Sequence, residues 1–317
     1  MNKTALQRHR VNRVINFVRD SAAEPMSLDH MADVACLSRY HFSRVFSAHC
    51  QETPVEFVSR SRLENSVGEL VLKPHRPVTS IALDAGFSGS QAFSHAFRRR
   101  FGIGPRGFRD ANRGCVVDFP KNQWQQYPML ASTPQATNQA MPSWAASVQF
   151  APEMRLAYIR HIGPYFNMRG TNCNTGGIAS SIEQLVCWAK ERGVWHKDTT
   201  VIGVCPNNPS VTPPQYCQYD VCISVDESVL EDDVVSIQTM PATTYAAVEM
   251  LGDSGTLMQA WRWLISHWVP ENGLRSNSRT PFEMYQTDGS HVLCPEHGIK
   301  LCLPVSTCNE SRIFPQR

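Results

Sequence analysis

Apolar residues return at helical intervals along the first third of the chain, most regularly in IALDAGFSGSQAFSHAFRRRFGIGPRGFR, residues 81–109. Phe93, Phe97 and Phe101 are spaced four apart, which places their side chains on one face of a helix. Short hydrogen-bonding residues fill the positions between them, and three consecutive arginines stand near the end. The pattern predicts a helix with a buried aromatic face and an outward polar face.

The same pattern occurs twice. ADVACLSRYHFSRVF (residues 32–46) aligns with ALDAGFSGSQAFSHAF (residues 82–97), with one extra residue in the second copy. Each copy predicts a helix with small residues, a turn at Cys36 or Gly86, and a second helix. This is the layout of a helix-turn-helix, whose second helix, here called the reading helix, enters the major groove of DNA. A helical hairpin without DNA binding is the alternative, and a repeated unit makes it less favoured.

Serines stand where the reading helices begin. Ser38 is the predicted N-cap of the first, and Ser88 or Ser90 of the second. Between the copies, PVEFVSRSRLENSVGELVLKP (residues 54–74) opens with proline and ends in Lys-Pro, so it predicts one long helix. A rigid connector would hold the two reading helices at a fixed distance. Adjacent major grooves lie about 34 Å apart on one face of DNA, so one chain would cover both.

Charge separates along the chain. Residues 1–113 hold 17 Lys+Arg against 10 Asp+Glu, whereas residues 114–317 hold 13 against 18. A basic third joined to an acidic remainder predicts a polyanion-binding part. The first 25 residues are too polar for a secretion signal, and no apolar run reaches the roughly 18 residues of a transmembrane helix. We therefore expect a cytoplasmic protein without membrane contact, and the 11 cysteines are expected to be reduced thiols.

The motifs LSRYHFSRVF and AGFSGSQAFSHAFRRRFGIGPRGFR resemble the AraC/XylS family of transcription regulators, in particular its Rob-like branch, over roughly residues 5–112. The resemblance implies double-stranded promoter DNA as a partner, transcription activation and contact with RNA polymerase. Two positions depart from the family pattern: Gln51 replaces a common glycine and His95 a common arginine. The base-contacting positions that the resemblance implies are Tyr40, Ser43, Arg44, Ser90, Gln91, Ser94 and His95.

Arginine chemistry adds two expectations. Arg44 suits the O6 and N7 acceptors of guanine, with a phosphate contact as the alternative. The remaining arginines are predicted to hold phosphates, namely Arg98, Arg99, Arg100, Arg106 and Arg109.

A second and weaker repeat lies in the acidic part. AYIRHIG (residues 157–163) pairs with AAVEMLG (residues 246–252), and later segments place Trp188 over Trp263 and Cys222 over Cys302. Each half predicts strand, helix, strand, strand. Two such halves form a sheet with helices on one face and a concave crease, which we expect on the other face.

The motifs YIRHIGPY, QYDVCISV, HWVPENGL and TPFEMYQTD resemble the GyrI-like effector-binding domain over about residues 147–306. The predicted fold class is therefore α + α/β: an all-α tandem helix-turn-helix domain, then an α+β domain of two strand-helix-strand-strand repeats with a concave ligand crease. The predicted domains are residues 1–112 and 147–306, joined by a linker at 113–146 and followed by a tail at 307–317.

The PFEMY strand carries the candidate ligand chemistry. If Phe282 and Met284 pack on helices, Glu283 and Tyr285 point into the crease. A carboxylate walled by aromatic rings suits a cationic or amphipathic small organic effector, and the resemblance implies the same. The predicted ligand-binding residues are Glu283, Tyr285, Tyr165, Tyr219 and Trp261.

Other chemistries are weaker. A hydrolase would use His161 and Glu283 as acid and base and Cys173 as nucleophile, but nothing in the sequence sets their geometry. His291, Cys294, His297 and Cys302 do not match the spacing of zinc sites. We expect no enzyme activity, metal or cofactor. The remaining alternative is a protein that inhibits a DNA-handling enzyme by direct contact.

Overall fold

The computed structural model describes residues 1–20, 26–112, 144–165, 177–209, 211–251, 254–277, 279–285 and 298–307. The chain divides into two compact units, one within Met1–Asp118 and the other within Phe119–Arg317. The predicted linker lies almost wholly outside the described residues, as do most of the tail, Cys173, His291, Cys294 and His297. No helix among the described ranges is long and apolar enough to cross a bilayer.

The first unit is all helical. Its helices are α1 (Lys3–Asp20), α2 (Leu28–Val34), α3 (Arg39–Cys50), α4 (Pro54–Leu72), α5 (Val78–Asp84), α6 (Ser90–Phe101) and α7 (Pro105–Ala111). Both predicted helix-turn-helix units are present, α2 with α3 and α5 with α6, so α3 and α6 are the reading helices. The connector α4 packs against helices of both helix-turn-helix units.

The aromatic residues of the repeat pack in the same way in both copies. Phe42, Phe46 and Phe57 form edge contacts with ring centroids 5.5 and 5.4 Å apart. Their counterparts Phe93, Phe97 and Phe108 have centroids 5.4 and 5.3 Å apart. All six rings are buried, which confirms the predicted aromatic face.

Both turns lie where they were predicted, and both contain a residue with positive φ. Cys36 has φ 51° and Gly86 φ 73°, both in the left-handed region. At Gly86 a β-carbon would stand 2.7 Å from Cζ of Arg62, a residue of α4, so a side chain there would displace the guanidinium in addition to being strained at positive φ. Arg62 in turn donates to the carbonyl oxygen of Gly86 at 3.1 Å. The second turn is therefore locked to the connector.

The helix starts agree with the sequence only in part. Ser38 is the N-cap of α3, but its side chain makes no capping hydrogen bond. The N-cap of α6 is Gly89, so the expectation of Ser88 or Ser90 at that position is wrong. The connector begins at Pro54 as predicted, and Thr53 with Glu56 forms a capping box before it.

The second unit is a curled antiparallel sheet with helices. Its strands are β1 (Ala146–Ala151), β2 (Met154–Ile162), β3 (Val201–Val204), β4 (Gln218–Ser224), β5 (Ser236–Met240), β6 (Thr243–Met250), β7 (Leu274–Ser276), β8 (Phe282–Tyr285) and β9 (Ile299–Thr307). The sheet order is β1-β6-β9-β8-β3-β4-β2-β5, with β7 beside β9. The helices are α8 (Ile178–Glu191) and α9 (Ser254–Trp263), which continues through a π-turn, Leu264–Trp268, into α10 (Val269–Glu271).

The predicted repeat is present, and the halves meet at β3 and β8. Gly203 of β3 lies directly opposite Glu283 of β8. Cys222 and Cys302 occupy equivalent buried positions, with each sulfur 3.4 to 3.5 Å from the carbonyl oxygen two residues earlier. Three strands were not predicted, namely β1, β5 and β7. β1 leads into β2 but pairs with β6, whereas β5 leads into β6 but pairs with β2, so the halves exchange their first strands.

The two faces of the sheet carry different cores. One face packs on α8 and α9. The opposite face is lined by strand residues, including Phe282 and Met284. The expectation that these two pack on helices is therefore wrong, and Glu283 with Tyr285 lies on the helix-bearing face instead. The side chains that fill the other face are Leu156, Tyr158, Ile202, Cys222, Tyr245 and Cys302.

Candidate functional site

The first reading helix, α3, presents polar residues to solvent. Tyr40 is 78% exposed and Arg44 is also exposed, while Ser43 is half-buried between them. Phe42 and Phe46, on the opposite side, are buried. The outward face of α3 thus presents a phenol hydroxyl, a serine hydroxyl and a guanidinium, as the helical spacing predicts.

The second reading helix, α6, has the same division. Phe93, Phe97 and Phe101 are buried. Ser90 and Ser94 are half-buried on the other side, beside exposed side chains at the neighbouring positions. These exposed residues are Gln91, His95, Arg98 and Arg99.

Two arginines predicted to hold phosphates are engaged within the domain instead. A guanidinium N–H of Arg100 donates to Oε1 of Glu64 at 3.2 Å, and the side chain of Arg100 is only 22% exposed. Arg109 donates to the carbonyl oxygens of Leu70 and Arg76 at 3.2 and 2.7 Å. Sequence alone did not reveal this, because the partners of both arginines are 33 to 39 residues away in the chain. Arg106 is exposed, as a phosphate contact requires.

In the second unit the carboxylate of Glu283 lies in a ring of hydrogen-bond donors. It is 4% exposed and stands on the helix-bearing face. The hydroxyls of Tyr219 and Tyr285 both lie 2.7 Å from Oε2, and the indole N–H of Trp261 in α9 donates to Oε1 at 3.4 Å. Four of the five predicted ligand residues therefore meet at one point.

The two tyrosines share their protons with the carboxylate. Their hydroxyl oxygens are 2.5 Å apart. The two hydroxyl protons therefore lie among three short oxygen–oxygen contacts, namely Tyr219–Glu283, Tyr285–Glu283 and Tyr219–Tyr285. Burial, and next the charge of Glu283, raises the pKa of Tyr219 and of Tyr285 well above the usual value. Both phenols therefore stay protonated at neutral pH and act as donors.

Gly203 makes this arrangement fit. A β-carbon at Gly203 would stand 1.8 Å from the hydroxyl oxygen of Tyr219. The position of β3 opposite Glu283 thus carries no side chain, and the Tyr219 hydroxyl fills that space. Sequence reasoning missed this role, which depends on the pairing of β3 with β8.

Tyr165 packs against Tyr219. Its ring meets that of Tyr219 edge to face at 5.7 Å, and its hydroxyl donates to the carbonyl oxygen of Gln218 at 2.7 Å. Cys205 was not predicted for this site. Burial, and next the charge of Glu283, raises the pKa of its thiol well above the usual value. Tyr165 thus supports Tyr219, and Cys205 adds a neutral thiol.

The surroundings of His161 differ from those of Glu283. Its ring packs against Gly163 and Gly177, where an added β-carbon would stand 3.0 and 2.7 Å, respectively, from the nearest ring atom. Its Nε2 is 3.3 Å from the carbonyl oxygen of Pro164. Burial lowers the pKa of His161 below the usual value. Glu283 accepts from the hydroxyls of Tyr219 and Tyr285 and from the indole of Trp261.

Comparison with known proteins agrees with both motifs. A GyrI-like small molecule binding domain matches residues 147–306, about half of the chain, and a helix-turn-helix domain matches residues 31–111. The transcriptional regulator ArgR of Pseudomonas aeruginosa is 26% identical over 113 residues, 36% of this chain and 34% of ArgR. The transcriptional activator RhaS of Escherichia fergusonii is 36% identical over 100 residues, 32% of this chain and 36% of RhaS. The chain thus spans about a third of the length of these relatives.

Among solved structures, the C-terminal domain of EcmrR aligns with 52% of this chain and 99% of its own length, at 18% identity and a TM-score of 0.39. The helix-turn-helix match contains both reading helices, and the GyrI-like match contains the Glu283 ring. The chain therefore belongs to the GyrI-like small molecule binding family, with that domain joined to an AraC-type helix-turn-helix domain.

Proposed function

We propose that this protein is a sequence-specific transcription regulator that responds to a small organic effector. The observation that carries the proposal is the presence in one chain of two reading helices with outward polar faces and a buried carboxylate ringed by aromatic donors. Promoter DNA is the partner of the first unit. We place this activity in the cytoplasm and add contact with RNA polymerase to the proposal.

The base-reading residues follow from exposure and chemistry. Arg44 holds guanine by two parallel hydrogen bonds, and Tyr40 and Ser43 lie on the same exposed side of α3. Gln91 and His95 read bases from α6 with Ser90 and Ser94, while Arg98 and Arg99 hold phosphates.

The effector lies against the Glu283 ring. A carboxylate in an aromatic surround attracts a cationic or amphipathic organic molecule. We propose binding without turnover, because Glu283 is bonded to two phenols and Cys205 stays a thiol. For the effector to regulate, its affinity must differ between the DNA-bound and free states.

An equilibrium DNA-binding assay with Arg44→Ala tests the proposal. Loss of a bidentate guanine contact should cost about 1–3 kcal/mol on the preferred site and little on random DNA. Arg106→Ala, a change in an exposed arginine outside both reading helices, is the matched control and should weaken binding to both. An equal loss with Arg44→Ala on both DNAs would make Arg44 a phosphate contact only.

A further inference from the structure

Four charged side chains form a continuous chain of ion pairs through the first unit. Glu52 and Glu64 accept from Arg60, and Glu64 also accepts from Arg100. We call this set the buried charge chain. Glu52, Arg60 and Glu64 are each 6% exposed at their side chains, and Arg100 is 22% exposed.

The geometry at the first end is bidentate. Nε of Arg60 donates to Oε2 of Glu52 at 3.0 Å, and a terminal N–H donates to Oε1 at 2.7 Å. Glu52 follows the left-handed residue that closes α3. A planar guanidinium and a carboxylate joined by two parallel bonds have one favoured orientation, so the end of α3 is fixed relative to α4.

The buried charge chain then continues to the second helix-turn-helix. The other terminal nitrogen of Arg60 donates to Oε2 of Glu64, one turn further along α4, at 2.8 Å. The remaining oxygen of Glu64 accepts from Arg100 in the last turn of α6. The four charges alternate in sign from the turn after α3 through α4 to α6, so the turn that ends α3 and the last turn of α6 are bonded to the same pair of connector residues.

Neither end of the buried charge chain belongs to the repeat. At the repeat offset of 51 residues, Glu52 corresponds to Ile103, and Arg100 corresponds to His49. The aromatic trios occur in both copies of the repeat. The charge chain is extra, and it lies only where the two units are joined.

We infer that the buried charge chain is a positioning device that sets which half-site spacing the protein accepts on DNA. This inference rests on the proposed function. Moving one half-site by one base pair shifts it by about 3.4 Å and rotates it by about 35°, so two reading helices in a fixed relation tolerate little change. Arg100 therefore acts through Glu64 on the pose of α6 and is not a phosphate contact.

The test compares two adjacent arginines. Arg100→Met removes the bond to Glu64 but leaves the Glu52–Arg60–Glu64 part intact, whereas Arg99→Met removes the same charge from an exposed position. Affinity is measured for full-length proteins on the preferred bipartite site and on sites with spacing changed by one base pair, over a range of salt concentrations. Circular dichroism and thermal unfolding establish that each variant is folded.

The two variants should differ in kind. Wild type should disfavour the altered spacings by about tenfold or more, and Arg100→Met should reduce this ratio to about threefold without changing the salt slope. Arg99→Met should weaken all sites equally, preserve the spacing ratio and lower the salt slope by about 1. Arg100→Lys, which keeps the cation, should restore part of the spacing ratio.

A double-mutant cycle with Glu64→Gln adds a second measure. If Glu64 and Arg100 act as one unit, their effects on the spacing ratio should be far from additive. A folded Arg100→Met that keeps the wild-type spacing ratio would overturn the inference alone. A wild type that has no spacing preference would overturn both this inference and the two-groove form of the proposed function.

Discussion

For single residues, the proposed ligand site depends on how one carboxylate is surrounded. Glu283 has two phenols on one oxygen and an indole on the other. Strand alternation and the family motif predicted that Glu283 and Tyr285 share a face, whereas Tyr219 and Trp261 were named only as further aromatic residues of the site. The face of the sheet that they occupy was not predictable, because strand alternation tells which residues share a face but not which face carries the helices.

Substitution of Glu283 tests the electrostatic part of the site. Glu283→Gln keeps the shape and removes the charge, so affinity for an aromatic quaternary ammonium cation should fall by about tenfold or more, equivalent to about 1.4 kcal/mol. Calorimetry with this cation and with a neutral analogue of the same shape measures the effect. The neutral analogue should lose little, and the exposed control Glu227→Gln should change neither affinity. Unchanged cation affinity in Glu283→Gln would mean that the ligand lies elsewhere.

His161 gives a prediction about pH. Burial lowers its folded-state pKa below the usual 6.5, so below that pH the unfolded state binds more protons than the folded state. Its contribution to stability is therefore fully present above pH 6.5 and is lost as the pH falls through the folded pKa. His161→Asn should flatten the fall of the melting temperature between pH 6.5 and pH 5. The exposed His196→Asn should keep the wild-type slope, and an identical slope in both variants would contradict the assignment.

For helices and strands, the sequence predicted most of the helices but not the sheet edges. Helical spacing and internal repetition were sufficient for α2 to α6, because these contacts are local and occur twice. The exchange of β1 and β5 between the halves escaped prediction, since each pairs with a strand from the other repeat. Ion pairs such as Arg100 with Glu64 escaped for the same reason, as their partners are distant in the chain.

The lock between the second turn and the connector can be tested with two glycines. Gly86→Ala should destabilise the first unit by about 1–2 kcal/mol or more, since alanine is strained at positive φ and its β-carbon meets Arg62. At Gly68, in the middle of α4, a β-carbon would meet no atom within 4 Å beyond the backbone of its own helix. Gly68→Ala should therefore stabilise by about 0.5–1 kcal/mol. Urea unfolding measures both, and equal effects would show that the close approach to Arg62 is unimportant.

As a whole, the molecule joins an AraC-type helix-turn-helix domain to a GyrI-like small molecule binding domain. The basic first third and acidic remainder, visible in the sequence, correspond to the two compact units. The first unit combines two aromatic cores with a connector that forms ion pairs with the turn after α3 and with the end of α6. The second keeps a carboxylate and its donors between two related halves. The proposed function requires that effector binding to the second unit change DNA binding by the first.

The proposed regulation depends first on whether the two reading helices recognise two adjacent major grooves in a sequence-specific way. Selection by the full-length protein from a random double-stranded pool, at about 150 mM salt to suppress non-specific phosphate binding, tests this directly. We predict enrichment of a two-part motif with its halves about one helical turn, or about 10–10.5 base pairs, apart. Binding that follows only the salt concentration, with no enriched sequence, would contradict it.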